Sequence, residues 1–582
     1  MKNLKIKPIM KYLKPYKKEL FIGFVALLCV NLLSVLIPLE IRNIIDQVED
    51  GFTSQFIIKK SILLILLATL MGVIRLSSRR IFFGVGRKVE VNLRQRLFDN
   101  LLIQDPDWVQ KMGSGNIISR ATSDVENIRR LCGFTVLNLC TIILAYSFTI
   151  PSMFIINKML TVTALLIFPA ILGIVSLFGG RMISQRKLQQ ESLSKLSDLI
   201  QEDLSGISAI KIYGQEEFEK EEFSKFNKTY RDAAIKLART ASTLFPLLQG
   251  VSSISLLLFI ALGTSQLQSG FITIGGLVAM IFYIERLVIP TAFLGFTINT
   301  FQLGKVSLDR VDEILRNKPI ISDSPKSIYF PKKIKGSIEA KNFRFKYKGS
   351  KINTLNGLNF KIDPGELVAL VGPVGCGKTT LAKSLGRTIE IPEKSIFIDS
   401  YDIKEIKLED LRRNVAIVPQ EAFLFTSTIR ENLRFGRPEA VQKLIKETAI
   451  KAGLSEDIYG FPKGFSTIVG ERGITLSGGQ RQRTALGRAL LVDSPIIILD
   501  DALASVDNKT ASIIISEIRR NNNKTILMIS HQLSVAAICD RVLVMEKGEI
   551  VQEGVHKDLI KIKGLYKNLW ERELAVSKVE NN

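Results

Sequence analysis

The run from Gly372 to Thr379, Gly-Pro-Val-Gly-Cys-Gly-Lys-Thr, has the residue types and the spacing that hold a polyphosphate. It fits G-x-x-x-x-G-K-[ST], with Gly372, Gly377, Lys378 and Thr379 at the fixed positions. Glycines let backbone N–H groups curl around phosphate oxygens without a Cβ in the way. Pro373, Val374, Gly375 and Cys376 complete the turn, and Thr380 follows it. Lys378 would set a cation against the terminal phosphates, and the Thr379 hydroxyl suits a Mg²⁺ ion. Two apolar strands end in groups of matching chemistry. Ile496-Ile-Ile-Leu-Asp500 delivers a carboxylate, a partner for the nucleotide's metal. Ile526-Leu-Met-Ile-Ser-His531 delivers an imidazole able to reach a terminal phosphate. Leu476-Ser-Gly-Gly-Gln480 puts Ser477, Gly478, Gly479 and Gln480 at a helix start, which makes an anion-binding end. Tyr347 lies upstream of the loop, either as a platform for an adenine ring or as a core aromatic.

These groups need rigid elements to carry them. Residues 366–371 read as a buried strand and 381–385 as a helix, so the loop opens onto a positive helix end. From 338 onward strands and helices alternate, as in a P-loop α/β domain.

The first half has a different texture. Residues 20–39 carry no charge, enough to span about 30 Å of hydrocarbon as a helix. Lysines at 2, 5, 7, 11, 14, 17 and 18 precede that run and place its start in the cytoplasm. No small-residue cleavage site follows, so it reads as a retained anchor and not a signal peptide. A second, weaker run covers 61–74 before Arg75. Runs 134–156 and 159–180 are parted only by Asn157 and Lys158, a tight hairpin. The uncharged stretch 240–284 is too long for one crossing, and 266–270 marks its turn. The fold class is thus a membrane bundle of six transmembrane helices with long cytoplasmic extensions, fused to the α/β domain. Loops near 40–60, 157–158 and 266–270 fall outside, and 84–133 and 181–239 fall inside. Within the inner segments, 104–116 and 206–216 are turn-bounded and suit contact with the α/β domain. Glu285 and Arg286 follow the last apolar run, as a plain ion pair at a wet cavity or as a substrate contact. Pro and Ser residues and a Lys-Lys pair break the pattern over about 305–337. The boundaries are 1–310 for the bundle, 311–337 for the connector and 338–575 for the α/β domain.

Composition agrees. Net charge is +23 and 46% of the residues are apolar. Basic residues enriched in the loops of a membrane protein, near anionic lipid, explain that balance, so nucleic acid is not an expected partner. Five unpaired cysteines fit a reducing compartment, and only two histidines exclude a histidine-built zinc site.

With six spans, two inner loops, a connector, the phosphate loop and Leu476-Ser-Gly-Gly-Gln480, the chain resembles an ATP-binding cassette exporter of the half-transporter type, similar to multidrug exporters and lipid A flippases. The resemblance implies ATP and Mg²⁺ as cofactors and a second half-transporter as partner. Each ATP would lie between the phosphate loop of one chain and the Leu-Ser-Gly-Gly-Gln segment of the other. It matches Tyr347 to the adenine-stacking aromatic, Gln420 to the Mg²⁺-sensing glutamine and His531 to the switch histidine. It also matches 469–473 to the segment facing the inner loops, 505–507 to the loop between sites, and the two inner stretches to coupling helices. Lys378, Gln420, Asp501 and His531 form the catalytic set, with Thr379, Gln420 and Asp500 around the metal.

Two positions depart from the pattern. The family's general-base glutamate is Asp501 here, shorter by one methylene, which favours a heterodimer in which this chain holds the weaker ATP site, with a homodimer as the other reading. Cys376 stands where serine is usual: either a thiol at a helix start beside Lys378, acidified and open to alkylation, or a cysteine that merely fills a serine-sized space. The implied activity is ATP-driven export of amphipathic molecules or lipids across the inner (cytoplasmic) membrane. Alternatives are a lipid or glycolipid flippase, or a non-transporting regulator or channel on the same scaffold. No protease domain precedes the first span, which argues against leader-peptide export.

Overall fold

A computed structural model describes residues 7–49, 51, 53–166, 168–470, 473–504, 506, 508–519 and 524–580. The chain divides into two units, 1–102 with 113–317, and 103–112 with 318–582.

In the first unit six helices among the described residues are long and apolar enough to cross a membrane. Their main segments are α1 (Lys17–Glu49), α2 (Ser54–Leu102), α3 (Val136–Ile156), α4 (Phe168–Ser205), α5 (Glu216–Gln268) and α6 (Ile274–Arg316). At 1.5 Å per residue α2 is about 70 Å long, more than twice the hydrocarbon thickness. Apolar side chains such as Ile65, Leu257 and Ile155 are exposed, as on a lipid-facing surface. The interior of the bundle is built from Ala145, Met153, Ile171, Met280, Tyr283 and Leu287. Close helix approach rests on small residues: a Cβ on Gly86 would stand 3.0 Å from the Arg129 carbonyl and 3.3 Å from Gly133 Cα.

The breaks differ in detail from the apolar runs. Helix covers 40–49 and 54–60 of the stretch 40–60. Charges there find partners: Lys60 pairs with Glu40 at 2.9 Å, and Asp46 accepts the Gly275 N–H and the Thr273 hydroxyl, both at 2.9 Å. Asn157 is extended (φ −158°, ψ 120°) and its Oδ1 accepts the Leu160 N–H at 3.0 Å, so the residue that parts the apolar runs also caps the next helix. The later turn lies at 269–273, displaced from 266–270, with Gly270 at φ 70° and Thr273 capping α6. α6 runs to Arg316, over the start of the pattern break at 305, because Gly304, Ser307, Leu308 and Val311 form a buried face at helical spacing. Glu285 and Arg286 form no ion pair with each other. Adjacent helical positions diverge; Glu285 is exposed, and Arg286 donates to Asn31 Oδ1 at 2.8 Å.

The second unit holds two sheets. β1 (Ile338–Phe345), β2 (Leu355–Ile362), β4 (Ile396–Ile398) and β5 (Tyr401–Asp402) form an antiparallel sheet in the order β2-β1-β4-β5. β3 (Leu367–Val371), β6 (Val415–Val418), β7 (Ile496–Asp500), β8 (Thr525–Ile529), β9 (Arg541–Glu546) and β10 (Glu549–Gly554) form the other, in the order β10-β9-β3-β8-β7-β6. All of its pairings except β9–β10 are parallel. β3, β7 and β8 are buried along their whole length, as expected for strands covered on both faces.

Candidate nucleotide-binding site

Parallel pairing places the carboxyl ends of β3, β8, β7 and β6 on one edge of the sheet, where ligands of open α/β sheets bind. The phosphate loop follows β3, His531 follows β8, Asp500 and Asp501 close β7, and Gln420 follows β6. Four distant stretches of sequence thereby share one edge.

The loop opens onto α7 (Lys378–Leu385). Gly377 has φ 112°, a conformation that L side chains rarely adopt, and a Cβ there would also press on Leu355. A Cβ on Gly372 would stand 2.1 Å from the Met545 carbonyl, so the β9 backbone forms the floor of the loop. Lys378 is buried, and its Nζ donates to the carbonyls of Gly372 at 2.8 Å and Pro373 at 2.9 Å. No described carboxylate pairs with it within ion-pair distance. Its partners are two carbonyls and the Cys376 sulfur, so no paired carboxylate among the described residues competes with a phosphate for it. Val374 and Gly375 at the loop crest are exposed, and Cys376 is buried with Sγ 3.7 Å from Lys378 Nζ.

Thr379 Oγ1 donates to Asp500 Oδ1 at 3.3 Å, which brings the two expected metal ligands together. Asp500 is 4% exposed. Burial lifts its carboxyl above the usual carboxylate range, and the Thr379 hydroxyl and Lys378 oppose that rise. A desolvated carboxylate beside a hydroxyl is a donor set that suits a small hard cation, so these residues fit Mg²⁺. Tyr347 sits just beyond β1, packs edge-on against Phe345 and places its hydroxyl 3.3 Å from Thr380 Oγ1.

Asp501 departs from ordinary backbone geometry with φ 52°, a region where Asp is among the tolerated residues. Its N–H donates to Ile529 O at 2.9 Å, and its Oδ1 lies 3.5 Å from the His531 N–H. The His531 ring and Gln420 are exposed.

Ser477 caps α8 (Gly478–Val492), accepting the Gln480 N–H at 3.2 Å, while Gln480 Oε1 accepts the Ser477 N–H at 2.9 Å. Gln480 Nε2 also donates to Asp457 at 3.1 Å. None of the described hydrogen bonds joins Ser477, Gly478, Gly479 or Gln480 to residues 372–380. The structure therefore gathers the phosphate loop, Asp500, Asp501 and Tyr347 and gives the Leu-Ser-Gly-Gly-Gln turn its own support. Residues 471, 472, 505 and 507 lie outside the described residues, so the assignments at 469–473 and 505–507 rest on sequence. The Met545 floor and Asp457 were not expected; neither lies in a motif, and no local signal marks either.

The two inner stretches are short helices, Pro106–Met112 and Ile207–Tyr213. Residues 103–112 group with the nucleotide unit, where Asp105 accepts the N–H groups of Ile320 at 2.8 Å and Ile321 at 3.0 Å.

Residues 20–290 match the family described as ABC transporter transmembrane region, and 355–504 match the one described as ABC transporter. The multidrug resistance-like ATP-binding protein MdlA of Buchnera aphidicola subsp. Baizongia pistaciae is 34% identical over 561 residues, 95% of this chain and 96% of that one. The ATP-dependent lipid A-core flippase of Desulfotalea psychrophila is 30% identical over 572 residues, 98% and 99% of the two chains. A solved bacterial Atm1-family ABC exporter with ATP bound shares the fold, with a TM-score of 0.79 at 24% identity over 96% of this chain and 98% of that one. The chain belongs to the ABC transporter family. It is an exporter-type half, a six-helix membrane region fused to one ATP-binding domain, and an ATPase coupled to movement across a membrane. It is a multi-pass membrane protein, and exporters of this type work as dimers.

Proposed function

We propose that the protein exports amphipathic small molecules or lipids across the inner (cytoplasmic) membrane by alternating access of a dimer. The observation that carries this reading is the shared sheet edge, with Lys378, Thr379 and Asp500 converging, while the Ser477–Gln480 turn is capped within its own segment and makes none of the described hydrogen bonds to 372–380, which leaves it for a second chain's nucleotide. Backbone N–H groups of 372–380 bind the phosphates, Lys378 neutralises them, and Tyr347 stacks on adenine. Thr379, Asp500 and Gln420 would hold Mg²⁺, which supplies charge neutralisation when bound. Asp501 orients the attacking water as general base, and His531 fixes the terminal phosphate. The bundle spans 1–310, the connector 311–337 and the ATP-binding domain 338–575.

The shorter Asp501 favours a heterodimer in which this chain carries the slower site. A lipid flippase is the second reading, favoured by the flippase relative at 30% identity. Inside-out vesicles carrying the assembled dimer test the proposal. ATP-driven uphill uptake of a fluorescent amphiphile or lipid is expected, and a downhill ion current without uptake would instead indicate a channel.

A further inference from the structure

The segment after β8 carries His531 and then turns into α9 (Leu533–Ala536), a single helical turn. Its first N–H groups have no partner within the helix, and Gln532 at the N-cap supplies no side-chain bond. Both are taken by one remote residue. Glu573, on the C-terminal helix α10 (Leu565–Glu580), accepts the Leu533 N–H at 2.7 Å and the Ser534 N–H at 3.1 Å. A carboxylate bridging two successive N–H groups at a helix start is a charge-assisted cap. The rest of the turn is fixed as well: Ser530 Oγ accepts the Gln532 N–H at 2.9 Å, and Leu533, Val535 and Ala536 are buried. His531 is thus suspended between the β7–β8 edge and the Glu573 cap.

α10 is itself anchored where it begins. Tyr566 is fully buried, its hydroxyl lies 2.7 Å from His556 Nδ1, and its N–H donates to Gln552 at 2.9 Å. The Trp570 ring packs on His556 with centroids 4.7 Å apart. These contacts hold the helix one and two turns before Glu573, so its carboxylate is a rigid fixture.

We infer that Glu573 is a positioning residue for His531: through the backbone of Leu533 and Ser534 it sets where the imidazole stands at the ATP site. The inference rests on the reading of His531 as a terminal-phosphate group. Removing the cap frees two amide groups and lets the turn shift. Misplacement by an ångström in an active site lowers turnover by up to about a hundredfold, so a shift through a backbone turn should cost about tenfold in kcat with little change in KM for ATP. Glu573→Gln keeps one acceptor oxygen and should fall between the native protein and Glu573→Ala.

The test uses the full chain in its dimer, with the ATP site of a non-identical partner inactivated so that turnover reports this chain's own site. It combines ATPase kinetics for Glu573→Gln, Glu573→Ala, His531→Ala and the double variant with hydrogen exchange read at Leu533 and Ser534. Expected are lower kcat at constant KM, graded Ala below Gln, no added loss when Glu573→Ala is combined with His531→Ala, and faster exchange at the two amides. Unchanged exchange in Glu573→Ala, or additive losses in the double variant, would overturn the inference. A slow His531→Ala beside a fully active Glu573→Ala would overturn it alone. A fully active His531→Ala would overturn the reading of His531 and the inference with it.

Discussion

Substituting Asp501→Glu tests the weakest point of the ATP site. The carboxylate sits on a residue at φ 52°, tied by its N–H to Ile529 at 2.9 Å, so the backbone cannot advance to make up for a short side chain. One methylene adds about 1.5 Å of reach, the length of a C–C bond. A base misplaced by that distance costs about a hundredfold in rate, or about 2.7 kcal/mol of barrier. Asp501→Glu should therefore raise ATP turnover by up to about a hundredfold if this chain holds the slow site. The left-handed backbone opposes the gain. It disfavours ordinary L-residues by about 1–2 kcal/mol, and Asp escapes part of that through its short polar side chain. The Glu variant should accordingly melt a few degrees lower while hydrolysing faster. The assay is ATPase activity of the purified chain, alone and with its partner, alongside thermal unfolding. Robust turnover of the native chain alone that collapses in Asp501→Ala, with no gain in Asp501→Glu, would refute the reasoning and make Asp501 a competent base in a homodimer.

Two further outcomes follow from the same site. Burial holds the Asp500 carboxyl above the usual carboxylate range, so the folded chain takes up a proton at a pH where the unfolded chain is still ionised. As pH falls through that window the nucleotide-free protein should gain stability relative to Asp500→Asn, whereas Mg²⁺-dependent ATP binding, which needs the ionised carboxylate, should weaken. Calorimetry and nucleotide titration across the acid range check both signs. Cys376 is buried beside Lys378, while burial pushes the Cys539 thiol up to about 12. Maleimide should thus inhibit slowly and through Cys376, ATP should protect, and Cys376→Ser should resist; full ATP binding by protein modified at Cys376 would contradict this.

The motif-bearing parts were legible because their chemistry is local. The phosphate loop, the strand ending in Asp500 and the turn at Ser477 each declare themselves within about ten residues. The break at Asn157 was equally plain, since one residue both interrupts the apolar run and caps the next helix. The misplaced breaks have one cause. Apolar runs mark where hydrocarbon is crossed, but helices continue beyond it on charged residues that pair with distant partners, as Glu40 does with Lys60 and Asp46 with α6. The helical stretch 305–316 was hidden for the same reason: its buried face is made of Gly304, Ser307 and Leu308 among charges. Contacts such as Glu573 to Leu533 or Gly372 to Met545 span tens to hundreds of residues and carry no local pattern.

The most direct measurement is of Lys378→Ala in the assembled dimer, with ATP affinity and vesicle uptake read on the same preparation. The ammonium is held at 2.8 and 2.9 Å by two loop carbonyls with no carboxylate to satisfy it, so its loss should weaken ATP binding by about tenfold or more and abolish uptake. Native affinity together with native uptake would contradict the account.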